Sequence, residues 1–309
     1  ESGTEDEANY NPHSGLTSMK EKGELGVAAA SMLMRLLYAA RYARFDLLRA
    51  INRLSSYVAF WDDTCDKRLC RLVCYVASSL KQRLTGWVGD ETKELGAHVY
   101  CDADFAGCER TLRSTSGNQM NVEGPNSCFP ISARSIRQTC SSFSTPEAEV
   151  VSLNLALRTV ALPSLDLFDV ILPKTYHAIF HEDNTACCQV VRTGKNPTMR
   201  YLGRTHGLCI QFLYENLGFA AENPRYILKY TESKKMVADI HTKAFTKADE
   251  WRHVCDLCCV FLPERFPEIM KAKHEMYASD DGDPGGAKKV KAKALPCTRD
   301  MYAMTKEIC

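Results

Sequence analysis

The chain has 309 residues, of which 39 are basic and 38 acidic, giving a formal net charge of +1 at pH 7. This length allows about two domains with a sizeable core. The balanced charge excludes a globally basic nucleic-acid-binding protein, so any basic surface must be local. The 15 cysteines are scattered and odd in number, which argues against a secreted disulfide framework and indicates an intracellular protein, cytoplasmic or nuclear.

The N-terminal part of the chain is polar at first and then helical. Residues 1–24 lack hydrophobic periodicity and predict a disordered leader that does not resemble a signal peptide. No apolar run approaches the roughly 18 residues of a membrane span. In residues 25–90, apolar residues recur at steps of three and four and predict an α-helical module of three helices. Asp62 or Thr64 is the expected N-cap of the third helix.

Short strands come next and then alternate with helices in residues 95–246. Three strands predict a meander with a polar turn before the second strand, at residues 97–101, 119–123 and 128–132, with the turn at 113–117. Pro163 is expected to stop or kink the helix that follows. The later elements are predicted as helix 146–162, strand 177–181, helices 184–192 and 205–216, strand 225–230 and helix 233–243. This order predicts an α/β domain with a mixed sheet and flanking helices.

The chain continues beyond this domain into a C-terminal helical extension, residues 247–277, with a helix expected at 251–262. Residues 278–309 begin with acidic residues and glycines, and a run of lysines follows. That composition predicts a disordered tail.

Four acidic residues stand at comparable places in the predicted elements. Asp102 ends an apolar strand, Asp183 follows another strand, and Glu149 and Asp239 lie on predicted helices. Four carboxylates on a frame of strands and helices are what a two-metal phosphodiester hydrolase needs.

Two of these residues have a close acidic neighbour, and periodicity favours one of each pair. Asp102 and Asp104 point to the same side of an extended strand, but Asp102 directly ends the apolar run, whereas Asp104 is expected in the turn. Glu147 and Glu149 are about 200° apart on a helix, so only one can face the sheet. Glu149 is favoured because it shares its helix face with Leu153.

Six short motifs together carry a resemblance: CDADFAG at 101–107, RSTSG at 113–117, STPEAE at 144–149, EDN at 182–184, RTH at 204–206 and ADIHTK at 238–243. In order and spacing they resemble the RNase H domain of copia-type LTR retrotransposon Pol polyproteins, with the helical segment that connects it to reverse transcriptase. The resemblance covers about residues 30–260. One departure is that residues 206–209 read HGLC where the family usually has a KHID-like run, which leaves the four carboxylates untouched.

The resemblance implies an RNase H-like fold with a mixed five-stranded sheet, and endonucleolytic hydrolysis of the RNA strand of RNA·DNA hybrids. It further implies two Mg²⁺ ions, or Mn²⁺, held by the catalytic residues Asp102, Glu149, Asp183 and Asp239. Carboxylate oxygens suit such hard cations. The implied partners are the hybrid and a reverse transcriptase in the same polyprotein, and no membrane.

Two basic or polar clusters are candidates for contact with a nucleic-acid backbone. The first could hold a phosphate by side-chain and backbone donors and comprises Arg113, Ser114, Thr115 and Ser116. The second would suit a duplex backbone and comprises Lys195, Arg200 and Arg204.

Alternatives to an active nuclease remain open. The same fold could be catalytically inactive or repurposed, binding nucleic acid or a polymerase partner. A weaker alternative is a zinc-stabilised module built on cysteines, where the closest cluster is His253, Cys255, Cys258 and Cys259. Residues 60–63, FWDD, match the aromatic-x-Asp-Asp signature of reverse transcriptases, but helical periodicity surrounds them and polymerase chemistry is not expected.

Overall fold

The computed structural model describes residues 22–172, 176–196, 198–218 and 226–278. The predicted leader and tail lie outside these residues, apart from residues 22–24 and 278.

The N-terminal helical module is present. Its helices are α1 (Gly26–Ala43), α2 (Leu48–Ser55) and α3 (Asp63–Ser78). Asp62 is the N-cap of α3, because its side chain accepts a hydrogen bond from the backbone N–H of Cys65. The apolar faces of the three helices share one buried cluster with Tyr100 and Ala133 of the sheet, so the module packs directly on the domain that follows it.

A mixed five-stranded sheet forms the centre of the next domain. Its strands are β2 (Gly96–Asp104), β3 (Thr115–Gly124), β4 (Ser127–Arg137), β5 (Ala178–Glu182) and β6 (Tyr226–Tyr230), in the order β4-β3-β2-β5-β6. β2, β3 and β4 are antiparallel, and β5 and β6 run parallel to β2. The expected α/β class, with helices flanking a mixed sheet, is confirmed.

The first three strands of this sheet are longer than predicted, and the polar turn expected at residues 113–117 is wrong in its second half. Thr115, Ser116 and Gly117 belong to β3, where Gly117 pairs with Asp102. The hydroxyl of Ser116 is buried and accepts a hydrogen bond from Nε2 of Gln138, and a hydrophobic pattern does not predict such bonds.

The longest helix of the domain crosses one face of the sheet. It comprises α4 (Thr145–Ala156), a π-helical turn (Leu157–Ala161) and α5 (Leu162–Ile171). Pro163 does not stop this helix. It stands in the first turn of α5, directly after the π-helical turn, so it does not interrupt a regular α-turn. By length and composition alone, Thr145–Ile171 could span a membrane. Leu153 and Leu157 lie in the sheet's main core cluster, which accounts for the apolar character of the first half of this helix.

The remaining elements depart from prediction at three points. The elements are α6 (Thr185–Thr193), α7 (Leu202–Thr205), α8 (Ile210–Leu217), α9 (Ala248–Leu257), α10 (Phe266–Ala278) and a small antiparallel pair, β1 (Arg83–Leu84) with β7 (Val260–Phe261). Gly207, at φ +62°, separates α7 from α8, where one helix was expected. Residues 233–243 form two 3₁₀ turns, Ser233–Lys235 and Val237–His241, instead of an α-helix. The helix expected at 251–262 ends at Leu257, and β7 and α10 follow.

Candidate metal centre

Three of the predicted carboxylates meet at the C-terminal ends of the central parallel strands. Asp102 lies on β2, Asp183 directly follows β5, and Glu149 lies on α4. One oxygen of each lies within 4.8 Å of the others. Within the described residues, this is the one set of three or more His, Cys, Asp or Glu side chains that converge in this way.

Local structure explains why α4 presents Glu149 to the strand. The hydroxyl of Ser144 caps the helix by accepting from the N–H of Glu147, and Pro146 stands in the first turn. The hydroxyl of Ser152 donates to the carbonyl oxygen of Asp102 at 2.8 Å. This bond ties α4 to β2 one helical turn after Glu149.

The fourth predicted residue, Asp239, joins the group through a lysine. The Nζ atom of Lys243 lies 2.8 Å from Asp239 Oδ1 and 3.3 Å from Asp102 Oδ1. It is also 3.9 Å from Asp183 Oδ2. One ammonium therefore lies within 3.9 Å of three carboxylates. Lys243 is thus a residue of the site that the sequence analysis did not predict.

Hydrogen bonds from hydroxyls fix two of the carboxylates. The hydroxyl of Thr242 donates to Oδ2 of Asp102, and that of Ser233 donates to Asp183 Oδ2 at 2.5 Å. Both donors come from the segment that follows β6. This segment therefore supplies Asp239 and Lys243 and also orients the carboxylates of two strands.

Burial raises the pKa of three carboxyl groups at the site and so disfavours their charged form. Burial is the largest cause that raises the pKa of Glu149, and the neighbouring Glu182 adds to it. Burial, followed by the charge of Asp102, raises the pKa of Asp239 to about 7. Burial also raises the pKa of Asp102, although Lys243 acts in the opposite direction. A cation at this site would relieve all three groups.

Two buried carboxylate oxygens at the site have no hydrogen-bond partner, Oε2 of Glu149 and Oε2 of Glu182. Glu182 was not predicted as a site residue. Its side chain is fully buried, and its other oxygen accepts from the backbone N–H of Asn184. The signal available in the sequence was its place next to Asp183, at the last position of a strand. Orphaned acceptors in an oxygen-only set fit a hard divalent cation.

The acidic neighbours weighed against Asp102 and Glu149 do not join the group. Asp104 Oδ1 accepts from the backbone N–H of Thr115 across the β2–β3 pair. Glu147 Oε2 accepts from the N–H of Phe143 at 3.1 Å. Both neighbours therefore support local structure.

The first predicted phosphate cluster is partly buried. Ser114 and Ser116 are fully buried; the hydroxyl of Ser114 accepts from the N–H of Ala106, and that of Ser116 accepts from Nε2 of Gln138. A phosphate contact by these two hydroxyls does not fit the structure, since they are used inside the protein. Arg113 and Thr115 are partly exposed.

The second predicted cluster is exposed. Lys195 and Arg200 lie between α6 and α7, and Arg204 lies on α7. The cysteine-based zinc cluster does not form. His253 is exposed and its Nε2 lies 2.8 Å from the carbonyl oxygen of Lys234, whereas Cys255, Cys258 and Cys259 are buried.

No protein-family model matches the chain. Its structure is similar to that of LC11-RNase H1, isolated from compost by a metagenomic approach, with 13% identity, a TM-score of 0.33, and coverage of 48% of this chain and 92% of that one. It is also similar to a foamy viral protease-reverse transcriptase in complex with RNA/DNA hybrid, with 13% identity, a TM-score of 0.40 and coverage of 76% of this chain. The chain spans 28% of the viral protein's length. Strand order and carboxylate geometry, rather than these similarities, define the fold and the site.

Proposed function

We propose that this chain is a ribonuclease H that hydrolyses the RNA strand of RNA·DNA hybrids. The observation that carries the proposal is the convergence of Asp102, Glu149 and Asp183, from two parallel strands and the helix that crosses them. The sequence motifs around these residues, which resemble those of copia-type RNase H domains, support the same function.

The donor set suits Mg²⁺ or Mn²⁺, because it offers carboxylate oxygens alone and leaves Oε2 of Glu149 buried without a partner. Asp102, Glu149, Asp183 and Asp239 would hold two ions. When bound, such ions activate a water for in-line attack and stabilise the departing oxygen of the phosphodiester.

The chain's own residues prepare the site for this chemistry. Thr242 and Ser233 fix the carboxylates of Asp102 and Asp183 by hydrogen bonds. Lys243 offsets part of the negative charge of the cluster. A hybrid would be recognised by its shape, phosphates and 2′-hydroxyls rather than by base sequence. The exposed residues Lys195, Arg200 and Arg204, with Arg113 and Thr115, are the proposed backbone contacts.

The motif order also supports a place in a retrotransposon Pol polyprotein, beside a reverse transcriptase. In that context, residues 25–90 would connect the polymerase to a nuclease domain at 95–246, and 247–277 would form an extension of the nuclease. An intracellular location, cytoplasmic or nuclear, belongs to the same proposal.

The test is cleavage of an RNA·DNA hybrid with labelled RNA in Mg²⁺ by the wild type, Asp183→Asn and the matched control Asp249→Asn. Asp249 is an exposed carboxylate on α9. We expect the wild type and D249N to cut the RNA strand, and D183N to lose at least about a hundredfold in rate, a loss of about 2.7 kcal/mol in transition-state stabilisation. Equal background cleavage by all three proteins would refute the proposal.

A second candidate function is a catalytically inactive RNase H-like fold that only binds nucleic acid or a polymerase. The position of Lys243 favours it, because an ammonium among three carboxylates can replace a metal ion electrostatically. Calorimetric titration with Mn²⁺ separates the two functions. Hybrid binding without metal binding or cleavage would support the inactive fold.

A further inference from the structure

A pocket lies between α2 of the helical module and the edge of the sheet. Three arginines line it, Arg49 and Arg53 from α2 and Arg137 from the end of β4. Asn52 and Ser56 of α2 add polar side chains, and Asp104 contributes the carboxylate that lines it. The arginines are partly exposed, so a ligand can approach from solvent.

Arg137 has an unsatisfied donor. Its Nη1 atom is buried, and no hydrogen-bond acceptor is provided for it. A guanidinium N–H that loses water without gaining an acceptor costs more than an ordinary lost hydrogen bond, because the group is charged. The structure thus has a cationic donor for which an acceptor from outside the protein would be favourable.

The other two arginines are held close together. Arg49 uses Nε to donate to the carbonyl oxygen of Thr242 at 2.6 Å. Within the described residues, no acceptor is recorded for its terminal Nη atoms. Burial, followed by the charge of Arg53, lowers the pKa of Arg49 from its ordinary value. The two like charges, together with the free terminal donors of Arg49, favour an anion beside them.

The pocket's own acid does not balance these charges. One oxygen of Asp104 is taken by the backbone N–H of Thr115. Arg53 donates to the carbonyl oxygen of Gly107 at 2.5 Å and lies 3.3 Å from Glu109, whose side chain is 80% exposed and contributes little. Three guanidinium groups therefore face one partly buried carboxylate.

The pocket adjoins the metal centre. The carbonyl oxygen of Thr242 accepts from Arg49, and the hydroxyl of Thr242 donates to Asp102. Asp104 lies two residues after Asp102 on β2, a distance of about 7 Å along a strand. A nucleic acid whose backbone reached the carboxylates could therefore also reach the pocket.

We propose that this pocket binds one phosphate group of a nucleic-acid backbone. Guanidinium groups match phosphate oxygens in geometry and charge, and their hydrogen bonds to phosphate are among the stronger ones. The inference takes its ligand from the proposed function. The pocket adds contacts that belong to neither predicted basic cluster, except that Thr115 of the first cluster also lines it. It also gives the helical module a part in substrate binding.

The test is fluorescence anisotropy of a labelled RNA·DNA hybrid in EDTA, so that binding is measured without cleavage. The proteins are the wild type, Arg137→Gln, Arg137→Lys and the control Arg71→Gln, which removes an exposed arginine of α3. We expect R137Q to weaken binding severalfold and to reduce the slope of log K against log salt concentration by about one. R71Q should match the wild type, and R137K should recover part of the loss.

Folding of R137Q is checked by thermal unfolding. Its Tm should stay near that of the wild type, because Nη1 makes no bond within the protein and the loss is confined to the side-chain hydrogen bond with Cys108. If R137Q binds the hybrid with unchanged affinity and salt slope, the proposal is overturned. The same holds if inorganic phosphate raises the Tm of the wild type but not of R137Q while hybrid binding is equal, since the pocket would then take free phosphate.

Cleavage in Mg²⁺ distinguishes this proposal from the function on which it rests. Loss of hybrid affinity in R137Q, together with no cleavage by the wild type, would support the pocket and refute the nuclease. Cleavage by the wild type, together with equal hybrid binding by R137Q and the wild type, would support the nuclease and refute the pocket.

Discussion

The positive charge of Lys243 reduces the repulsion among the acidic residues of the site. Its ammonium lies near Asp102, Asp183 and Asp239, and these carboxylates raise its pKa despite burial, which acts in the opposite direction. The side chain is 38% exposed, so solvent screens part of the attraction. We infer that Lys243 and a divalent cation stabilise the same group of carboxylates.

Lys243→Met should therefore lower the Tm in EDTA by about 2–4 °C, because the carboxylates repel one another without the ammonium. Added Mg²⁺ should raise the Tm of K243M by more than it raises that of the wild type. The matched control is Lys247→Met, which removes an exposed lysine paired with Glu250. Thermal unfolding with and without Mg²⁺ measures both effects. A Tm for K243M equal to that of the wild type in EDTA, with no larger gain in Mg²⁺, would contradict this role.

At the scale of elements, the close approach of β3 to the 3₁₀ turn Val237–His241 holds the site together. Gly117 lies opposite Asp102 in the β2–β3 register. A Cβ atom at Gly117 would come within 2.6 Å of Cγ2 of Thr242 and 2.9 Å of Cβ of His241. The absence of a side chain at Gly117 therefore allows the turn that carries Asp239 to pack on the strand that flanks Asp102.

Gly117→Ala should displace this turn and cost about 1–3 kcal/mol of unfolding free energy, as overpacked core substitutions do. Hybrid cleavage should fall with it, because Asp239 and Lys243 move together. Gly203→Ala is the control, since its Cβ would meet only the carbonyl oxygen of Leu208 at 3.6 Å. Denaturant unfolding and cleavage rates measure the two effects, and wild-type values for both in G117A would rule out the packing argument.

Apolar periodicity predicted the strands of the sheet and the three N-terminal helices, because their buried faces are regular. It did not predict the 3₁₀ turns at residues 233–241, since the buried residues Met236, Val237 and Ile240 have the spacing of a helix face. The positions of Asp102, Glu149 and Asp183 could be selected from strand ends and helix faces. The role of Lys243 and the pocket at Arg137 could not, because each depends on elements that are distant in sequence.

At the scale of the whole molecule, the helical module and the sheet share a core. Ile51 and Leu69 of the module belong to one buried cluster. The same cluster contains Tyr100 of β2, Ile240 of the 3₁₀ turn Val237–His241 and Val254 of α9. The module therefore stabilises the segment that carries Asp239 and Lys243. Unfolding of the module is expected to disrupt the metal centre as well.

Leu69→Ala should lower the unfolding free energy by about 2–5 kcal/mol, because it leaves a cavity at a fully buried position. The chain should still unfold in one transition, with the loss of module and sheet together. Leu80→Ala, at a position that is 66% exposed, is the control and should have little effect. Scanning calorimetry makes the comparison. Two separate transitions, of which L69A shifts only one, would show that the module and the sheet do not share a core.

The most direct test of the nuclease itself is a strand-resolved cleavage assay with the wild-type protein. An RNA·DNA hybrid labelled differently on each strand is incubated in Mg²⁺ and, in parallel, in EDTA, with duplex DNA as a second substrate. We predict cuts within the RNA strand of the hybrid in Mg²⁺ and none in EDTA. We predict no cuts in the DNA strand of the hybrid or in duplex DNA. An intact RNA strand in Mg²⁺, or cleavage that persists in EDTA, would contradict a metal-dependent ribonuclease H.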